Sequence, residues 1–407
     1  IRRSATICLF SPEDEEMMNA KTGNWFDTHP QRAGSNNSAA LSRAADNREF
    51  FKKLFTAQKE FGEPGFFFCD GPDWGTNPCA EIGLDPVLRE FAQPDRSGFQ
   101  MCNLSSINGA QATTEEKFYQ ACIYASVIGT LQAAYTHIPY LGEVTKKIND
   151  RDALLGVSIC GVMDNPEVLL NPEVLANGAR LVRAANWRLA GLLGINVASR
   201  TTCVKPEGTA SLVLGSADGI HPHHAPFYFR RVTANRLEPI YQFFREKNPQ
   251  MIEVSAYNPD RDDKIVFPVV APAGAICRKD VGALQFLEIV KTVQQAWVLN
   301  GTSTTNTSPG LNHNVSNTCT VKDDEWQAVQ EFIWNNRQFF TGISLLAWSG
   351  DKRYPQAPRE EPTTEADVLK WNALLPRPVD YAEMREETDE TKLAENAACA
   401  AGQCSLN

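Results

Sequence analysis

The chain has 407 residues, 43% of them hydrophobic, and a formal net charge of −10 from 39 basic and 49 acidic side chains. That length and hydrophobic share allow a large core, while the acidic balance and the lack of any Lys/Arg run argue against a nucleic-acid binder. No apolar run approaches the roughly 20 residues that span a bilayer.

The predicted elements alternate along the chain. Residues 5–10 (ATICLF) form an apolar strand, and 11–20 open with Ser-Pro and early acids, as a helix N-terminus does. Residues 21–38 (KTGNWFDTHPQRAGSNNS) are loop-like, 48–61 return to helical spacing, and 66–69 (FFFC) make a short strand. A turn-rich stretch, 71–78, leads into NPCAEIGL. Helical spacing holds over 115–138, a strand over 156–160, and a long helix over 172–193. The strand 201–205 (TTCVK) runs into the loop PEGTAS. Further strands are expected at 265–271, weakened by Pro268, at 315–321 and at 342–348, with helices at 281–299 and at 324–340, the latter capped by Asp323. Strands alternating with long helices predict an α/β class with much parallel pairing. From about 376 the chain turns acidic and poor in core residues, so 1–375 is expected to be one folded portion and 376–407 a mobile tail.

The eleven cysteines are odd in number and spread from Cys8 to Cys404. A disulfide scaffold would be denser and paired, so a reducing cytoplasm is expected. The first residues, IRRSATICLF, lack both an initiator Met and the long apolar core of a signal peptide, and an upstream part is expected.

Three segments carry chemistry. In an extended Asn77-Pro-Cys79-Ala-Glu81, side chains two apart share a face: an amide, a thiol and a carboxylate. A thiol can act as a one-electron oxidant, because its S–H bond is comparable in strength to an activated C–H bond, and a neighbouring carboxylate can take a hydroxyl proton. By spacing alone, a surface loop with an incidental thiol fits better. Lys205-Pro206-Glu207-Gly208-Thr209-Ala210-Ser211 follows a strand and precedes a helical segment, so its amides can meet an anion. It is not a P-loop, and an ordinary strand-to-helix turn fits the spacing better. Cys399 and Cys404 end the chain, and two thiols on a tether can pass electrons by exchange. His221, His223 and His224 tempt a metal reading, but neither HExxH nor a Cys/His quartet accompanies them, and structural or surface roles are expected, with no metal site.

NPCAEIGL followed by CNLSSIN at 102–108 resembles the paired signature of ribonucleotide reductases, and KPEGTASLVLGSADGIHP resembles their phosphate loop. RRSATICLF, KTGNWFDTHPQRAGSNNS, HNVSNTCTV and TGISLLAWSGDKRYPQAP are similar to segments of the adenosylcobalamin-dependent class II enzymes. FFTGISLLAW has no adjacent tyrosine pair of the kind that relays a radical from a separate subunit, which favours a directly bound cofactor. DGIHP does not match DxHxxG, so a bound cobalamin is expected to keep its own lower base.

The resemblance implies an α/β fold, the ten-stranded α/β barrel shared with glycyl-radical enzymes, with a finger loop at about 75–85 and the later part of the barrel in this chain. It implies that Cys79 carries a thiyl radical, Glu81 is the base on the 3′ hydroxyl, Asn77 positions the substrate, and Cys102 is one of two reducing thiols. It implies that residues 205–211 hold the phosphates of a ribonucleoside di- or triphosphate, and that Cys399 and Cys404 reduce the active-site disulfide and are renewed by a thioredoxin-like protein. A nucleotide effector is also implied. The family's partner for Cys102 lies upstream of this chain, with Cys8 and Cys69 as possible stand-ins, so the expectation is either that a separate N-terminal polypeptide completes the barrel or that this chain is part of a longer protein. The rival readings are a glycyl-radical enzyme, whose RVxG-like motif the tail lacks, and a non-catalytic nucleotide-binding fragment.

Overall fold

A computed structural model describes residues 6–44, 46–304, 307–348 and 354–385. They fall into two compact units, one of residues 1–223 and 272–349, the other of 224–271 and 350–407.

The first unit is built on parallel strands. Strand β1 (Thr6–Phe10) pairs with β2 (Ser35–Leu41), which pairs with β3 (Gly65–Phe68) after the crossover helix α1 (Arg48–Phe61). α1 buries Phe51, Leu54, Phe55 and Gln58 at helical spacing and stops at Gly62, whose φ of 79° suits only a residue without Cβ strain. Phe51 packs 5.1 Å from Phe66 and 5.3 Å from Trp334, ring centre to ring centre.

Downstream come β4 (Asn103–Asn108), α2 (Glu115–Ala133), α3 (Gly142–Asp152), β5 (Leu155–Cys160) and α4 (Pro172–Leu193). β4 and β5 are parallel, and β5 is buried at every position, as expected of a strand covered on both faces. Asn171 caps α4 by accepting from the amides of Glu173 and Val174, and Pro172 takes the first helical position. α2 and α4 approach closely because Gly178 has no side chain: a Cβ there would sit 2.5 Å from the Phe118 ring.

The last elements of this unit are α5 (Ala283–Val293), β6 (Thr318–Val321), α6 (Trp326–Asn335) and β7 (Ser344–Ala347), with β6 and β7 parallel. Helix α5 was expected to run to 299; instead it passes into a π-turn at Gln294–Val298. That turn aims Trp297 at the backbone of 202–203: its indole N–H donates to the Cys203 carbonyl (3.0 Å), and Thr202 Oγ1 donates to the Trp297 carbonyl (2.7 Å).

Single bridges join these ladders into one series. Val157 lies opposite Thr202, and Val204 opposite Val315, both in parallel sense. The Phe68 amide donates to the Thr341 carbonyl at 2.7 Å. The order is therefore β4, β5, 201–205, β6 with its approach 314–316, β7 with its approach at 341, β3, β2, β1: eight extended segments. Among the described residues the outer edges of β1 and β4 have no strand partner, and the expected ten-stranded ring does not close among them. The stretch 21–38, expected to be a loop, ends inside β2. Its polar sequence SNNS hid a strand that buries Asn37, Ala39 and Leu41.

The second unit holds a four-stranded sheet in the order Ile252–Val254, Asp262–Val270, Phe227–Asn235, Arg359–Glu360, all antiparallel. Phe229, Met251, Val266 and Leu374 form its own small core. Pro268 is tolerated because Ile252–Val254 pairs only as far as Ile265, leaving Pro268 a strand neighbour on one side. Among the described residues no helix is long and apolar enough to cross a membrane.

Candidate active site

The segment carrying Cys79 is a turn rather than an extended strand. Gly75–Thr76 pairs with Gly83–Leu84, which forces 77–82 into a tight loop. The Asn77 carbonyl accepts from the Ala80 amide (2.8 Å), and its side-chain oxygen accepts from the Ile82 amide (3.1 Å). Ala80 takes a positive φ of 60° at the tip. Asn77, Cys79 and Glu81 therefore do not share one face: Cys79 is exposed at the tip, Glu81 is 3% exposed, and the Asn77 oxygen is spent on holding the turn.

Both sides of the loop are tied to the wall. From β2, Asn36 Nδ2 donates to the Pro78 carbonyl at 2.8 Å. From the approach to β6, Asn314 donates its amide to the Glu81 carbonyl (2.9 Å) and Nδ2 to that of Ala80 (3.1 Å). His313 Nδ1 accepts from the Gly83 amide (3.1 Å) while Nε2 faces the Leu155 carbonyl (2.8 Å), which assigns the proton to Nε2. Burial, with Arg200 nearby, drops this imidazole to about 3, so it stays neutral. HNVSNTCTV thus supplies the strap that holds the loop from one side, and the end of KTGNWFDTHPQRAGSNNS holds it from the other.

Strand alternation sets what faces the Glu81 carboxyl. Leu104 pairs with Gly156 and Val157 with Thr202, so Cys102, Leu104 and Ser106, Gly156, Ser158 and Cys160, and Thr201, Cys203 and Lys205 lie on one face. Lys205 Nζ donates to Ser106 Oγ (2.8 Å), and Ser106 Oγ donates to Glu207 Oε1 (2.8 Å). Glu207 Oε2 lies 3.4 Å from the same ammonium. Burial raises the Glu81 carboxyl above its ordinary value; the Asn77 bond and Lys205 oppose this, and Glu207 adds to it. Glu81 and the 205–207 segment are therefore within electrostatic reach of each other.

Cys102 lies just before β4, its sulfur over Gly156, and burial pushes its thiol far up, with Glu81 adding to the rise. A Cβ at Gly156 would sit 2.9 Å from that sulfur and 2.5 Å from Leu104 Cδ2. Gly156→Ala is expected to cost about 1–3 kcal/mol by overpacking and to alter the rate at which Cys102 is alkylated. Urea unfolding and mass-resolved alkylation check the pair, and an unchanged midpoint would refute the close packing. Cys203, unremarked in the sequence, packs with Ile82 and Leu154, with Cys102 against the same cluster. Its signal was present: it is two residues before Lys205 on a strand. Cys8, half-buried, lies on β1, and the Cys69 thiol donates to the Gly71 carbonyl (3.1 Å).

In the 205–211 loop, Gly208 faces open space where a side chain would stand, and Glu207 has a positive φ of 58°. The Ser211 amide donates to the Glu207 carbonyl (2.9 Å), and its hydroxyl donates to Asp218, so that hydroxyl is already engaged. Thr209 and Ala210 open a helix of only five residues, Ala210–Leu214. His221 Nε2 accepts from the Thr318 amide (2.9 Å), and His223 Nε2 lies 2.6 Å from Asp164. Among the described residues no group of three or more His, Cys, Asp or Glu is placed to hold a metal ion. Cys399 and Cys404 lie outside the described residues.

No protein-family model matches the chain. Along its whole length it is similar to curated proteins named adenosylcobalamin-dependent ribonucleoside-triphosphate reductase. That of Lactobacillus delbrueckii subsp. bulgaricus is 22% identical over all of this chain and 57% of the relative, and that of Euglena gracilis 25% identical over 98% and 54%. The chain thus spans somewhat more than half the length of the curated relatives it matches. Among solved structures, a B-12-dependent (class II) ribonucleotide reductase superposes with a TM-score of 0.72 at 20% identity, covering 90% of this chain and 53% of the other. The class Id ribonucleotide reductase alpha subunit of Actinobacillus ureae gives 0.51 at 13% identity over 85% and 71%. The chain therefore shares the α/β fold of the class II enzyme.

Proposed function

We propose, with that full-length similarity as the premise, that this chain carries the catalytic later part of an adenosylcobalamin-dependent ribonucleotide reductase, converting ribonucleotides to 2′-deoxyribonucleotides. The observation that carries the reading is one loop with an exposed thiol at its tip and a buried carboxylate two residues on, within electrostatic reach of Lys205 of the KPEGTAS segment. The names of the relatives make a ribonucleoside triphosphate the first substrate to test.

Bound adenosylcobalamin supplies the oxidising radical that starts the reaction. The residues suit such a group: Cys79 is exposed, so a bulky cofactor can approach the sulfur at the loop tip, and Cys79 and Ala80 are what it would meet. His221, His223 and His313 have ring nitrogens engaged within the fold, in keeping with a cofactor that keeps its own lower base.

In the proposed sequence, Cys79 as a thiyl takes the 3′ hydrogen from the ribose and becomes a thiol. Glu81, raised by burial and thus a better base than an exposed carboxylate, takes the 3′ hydroxyl proton. The 2′ hydroxyl leaves as water. Cys102 and a second thiol supply two electrons and two protons, one proton leaving with the 2′ hydroxyl in that water and the other forming the new C2′–H bond, and become a disulfide. Glu81 returns its proton to the 3′ oxygen, and Cys79 returns its hydrogen to C3′ and is a thiyl again. The loop 205–211 holds the phosphates, with Gly208 giving close approach. Asn77, by fixing the turn, sets where Cys79 and Glu81 stand.

The second thiol and two further strands would come from a segment outside this chain, closing the eight-segment series into a ten-stranded barrel. Residues 1–375 would be the catalytic portion. Cys399 and Cys404 would reduce the disulfide and be renewed by a thioredoxin-like protein in a reducing cytoplasm, with a nucleotide effector bound largely by that further segment.

The experiment titrates the chain with adenosylcobalamin by absorbance, then supplies dithiol and a ribonucleoside triphosphate, with and without an N-terminal fragment that completes the barrel. Saturable cobalamin binding with deoxyribonucleotide product in the completed enzyme is the expected result. Absence of both from the completed enzyme would leave only a nucleotide-binding relic.

A further inference from the structure

We propose that Glu207 is a positioning residue for Glu81: it holds the Lys205 ammonium against Ser106 and so decides how much of that positive charge the Glu81 carboxyl feels. The inference rests on the function proposed above only for its kinetic consequence.

The geometry is closed. Lys205 and Ser106 lie on the same face of the strand series, two strands apart, with Ser158 between them accepting the Lys205 amide at 2.9 Å. Ser106 Oγ receives the ammonium and hands its own proton to Glu207 Oε1, both at 2.8 Å. The Glu207 side chain is fully buried, and its Oε2 accepts no hydrogen bond among the described residues. Glu81 is tied to the same strand by a short route: its carbonyl takes the Asn314 amide, and the Asn314 carbonyl takes the Val204 amide, one residue before Lys205. Glu81 Oε2 is likewise buried without a hydrogen-bond partner among the described residues. Two buried carboxylates thus lie within electrostatic reach of one ammonium, which the ion pair gives to Glu207, and in a poorly solvated site the carboxylate that holds it weakens its effect on the other.

The other groups around Glu81 do not supply a competing positive charge. Asn77 from the loop and Ser106 from β4 are neutral. Cys102 and Cys203 are kept as thiols by burial, and His313, bonded to the Gly83 amide, stays neutral. Arg200 faces the Asp152 carboxylate, 4.0 Å away.

The test is a titration of the Glu81 carboxyl by its infrared band in the full chain, assigned by difference against Glu81→Gln. Glu207→Gln keeps volume and the acceptor for Ser106 but removes the negative charge. Lys205→Met removes the ammonium. The expected result is displacement in opposite directions: the Glu81 midpoint falls by about one pH unit in Glu207→Gln and rises by about one in Lys205→Met. The acid limb of kcat/KM in the completed enzyme follows both. A purely structural role for Glu207 would lower rates without moving the midpoint. A midpoint unmoved or raised in Glu207→Gln overturns the proposal. If that variant does not fold, an unmoved midpoint in Lys205→Met overturns it. The titration needs no turnover, so displaced midpoints without any deoxyribonucleotide product would refute the proposed function and leave this inference standing.

Discussion

In the completed enzyme proposed above, Cys79→Ser is expected to abolish deoxyribonucleotide formation, by more than about 10⁴-fold, while nucleotide binding and thermal stability stay close to those of the parent. The two halves of that expectation have separate causes. A hydroxyl cannot replace the thiol, because an alcohol O–H bond is far stronger than the S–H bond and the oxygen cannot be made a hydrogen-abstracting radical under the same driving force. A 10⁴-fold loss corresponds to about 5.5 kcal/mol of barrier. The sulfur is exposed at the tip, the exchange of sulfur for oxygen changes its volume little, and the Asn77 turn and the straps from Asn36 and Asn314 hold the loop. Stability should therefore change by no more than about 0.5 kcal/mol. Chromatographic product assay, calorimetric nucleotide binding and a thermal melt of the same preparation check the three parts. Product at even a hundredth of the parent rate would remove Cys79 from the proposed chemistry.

What the sequence made legible follows from which interactions are local. α1 and α4 were readable because the apolar period that marks each lies within the element itself; the structure adds ends that are local too, the Asn171 cap and Gly62. β2 was not, because SNNS is buried only through its neighbours β1 and β3, and no residue within the stretch announces that. The paired cysteine motifs pointed to the 77–82 loop and to Cys102, yet the assumption of an extended chain put Asn77, Cys79 and Glu81 on one face. Pairing of Gly75–Thr76 with Gly83–Leu84 makes a turn instead, and it separates an exposed sulfur from a buried carboxyl. The Lys205–Ser106–Glu207 arrangement was out of reach for the same reason as β2: Ser106 and Lys205 are 99 residues apart and meet only because β5 brings their strands together. A phosphate-loop reading counts the backbone of Glu207, whereas the fold turns its side chain inward.

Asp152→Ala is expected to cost about 3–5 kcal/mol of folding stability and to loosen Cys102 with it. Asp152 ends α3 and is fully buried. Its carboxylate accepts from Arg151 Nη2 (2.6 Å), Ser199 Oγ (3.1 Å), Gln100 Nε2 and Thr307 Oγ1, with the fully buried Arg200 4.0 Å away. Removing it strands buried positive charge, which is the costly way to break a buried pair. The same corner fixes the chain entering Cys102: Gln100 bonds Asp152 itself, and the Met101 amide donates to Asn149 Oδ1 at 2.7 Å, one turn earlier on α3. Burial pushes the Asp152 carboxyl up, but Arg151, Thr307 and Arg200 together hold it below the ordinary 3.8. Because the folded-state value is depressed, the contribution is fully present above about pH 4 and is lost as pH falls through the folded value. The difference between parent and variant in urea unfolding should therefore be full at pH 7 and shrink in acid below pH 4. A difference of less than 1 kcal/mol at pH 7, or one that persists undiminished once the parent carboxyl is protonated, would show that the charge of Asp152 is not what holds this corner and the thiol beside it.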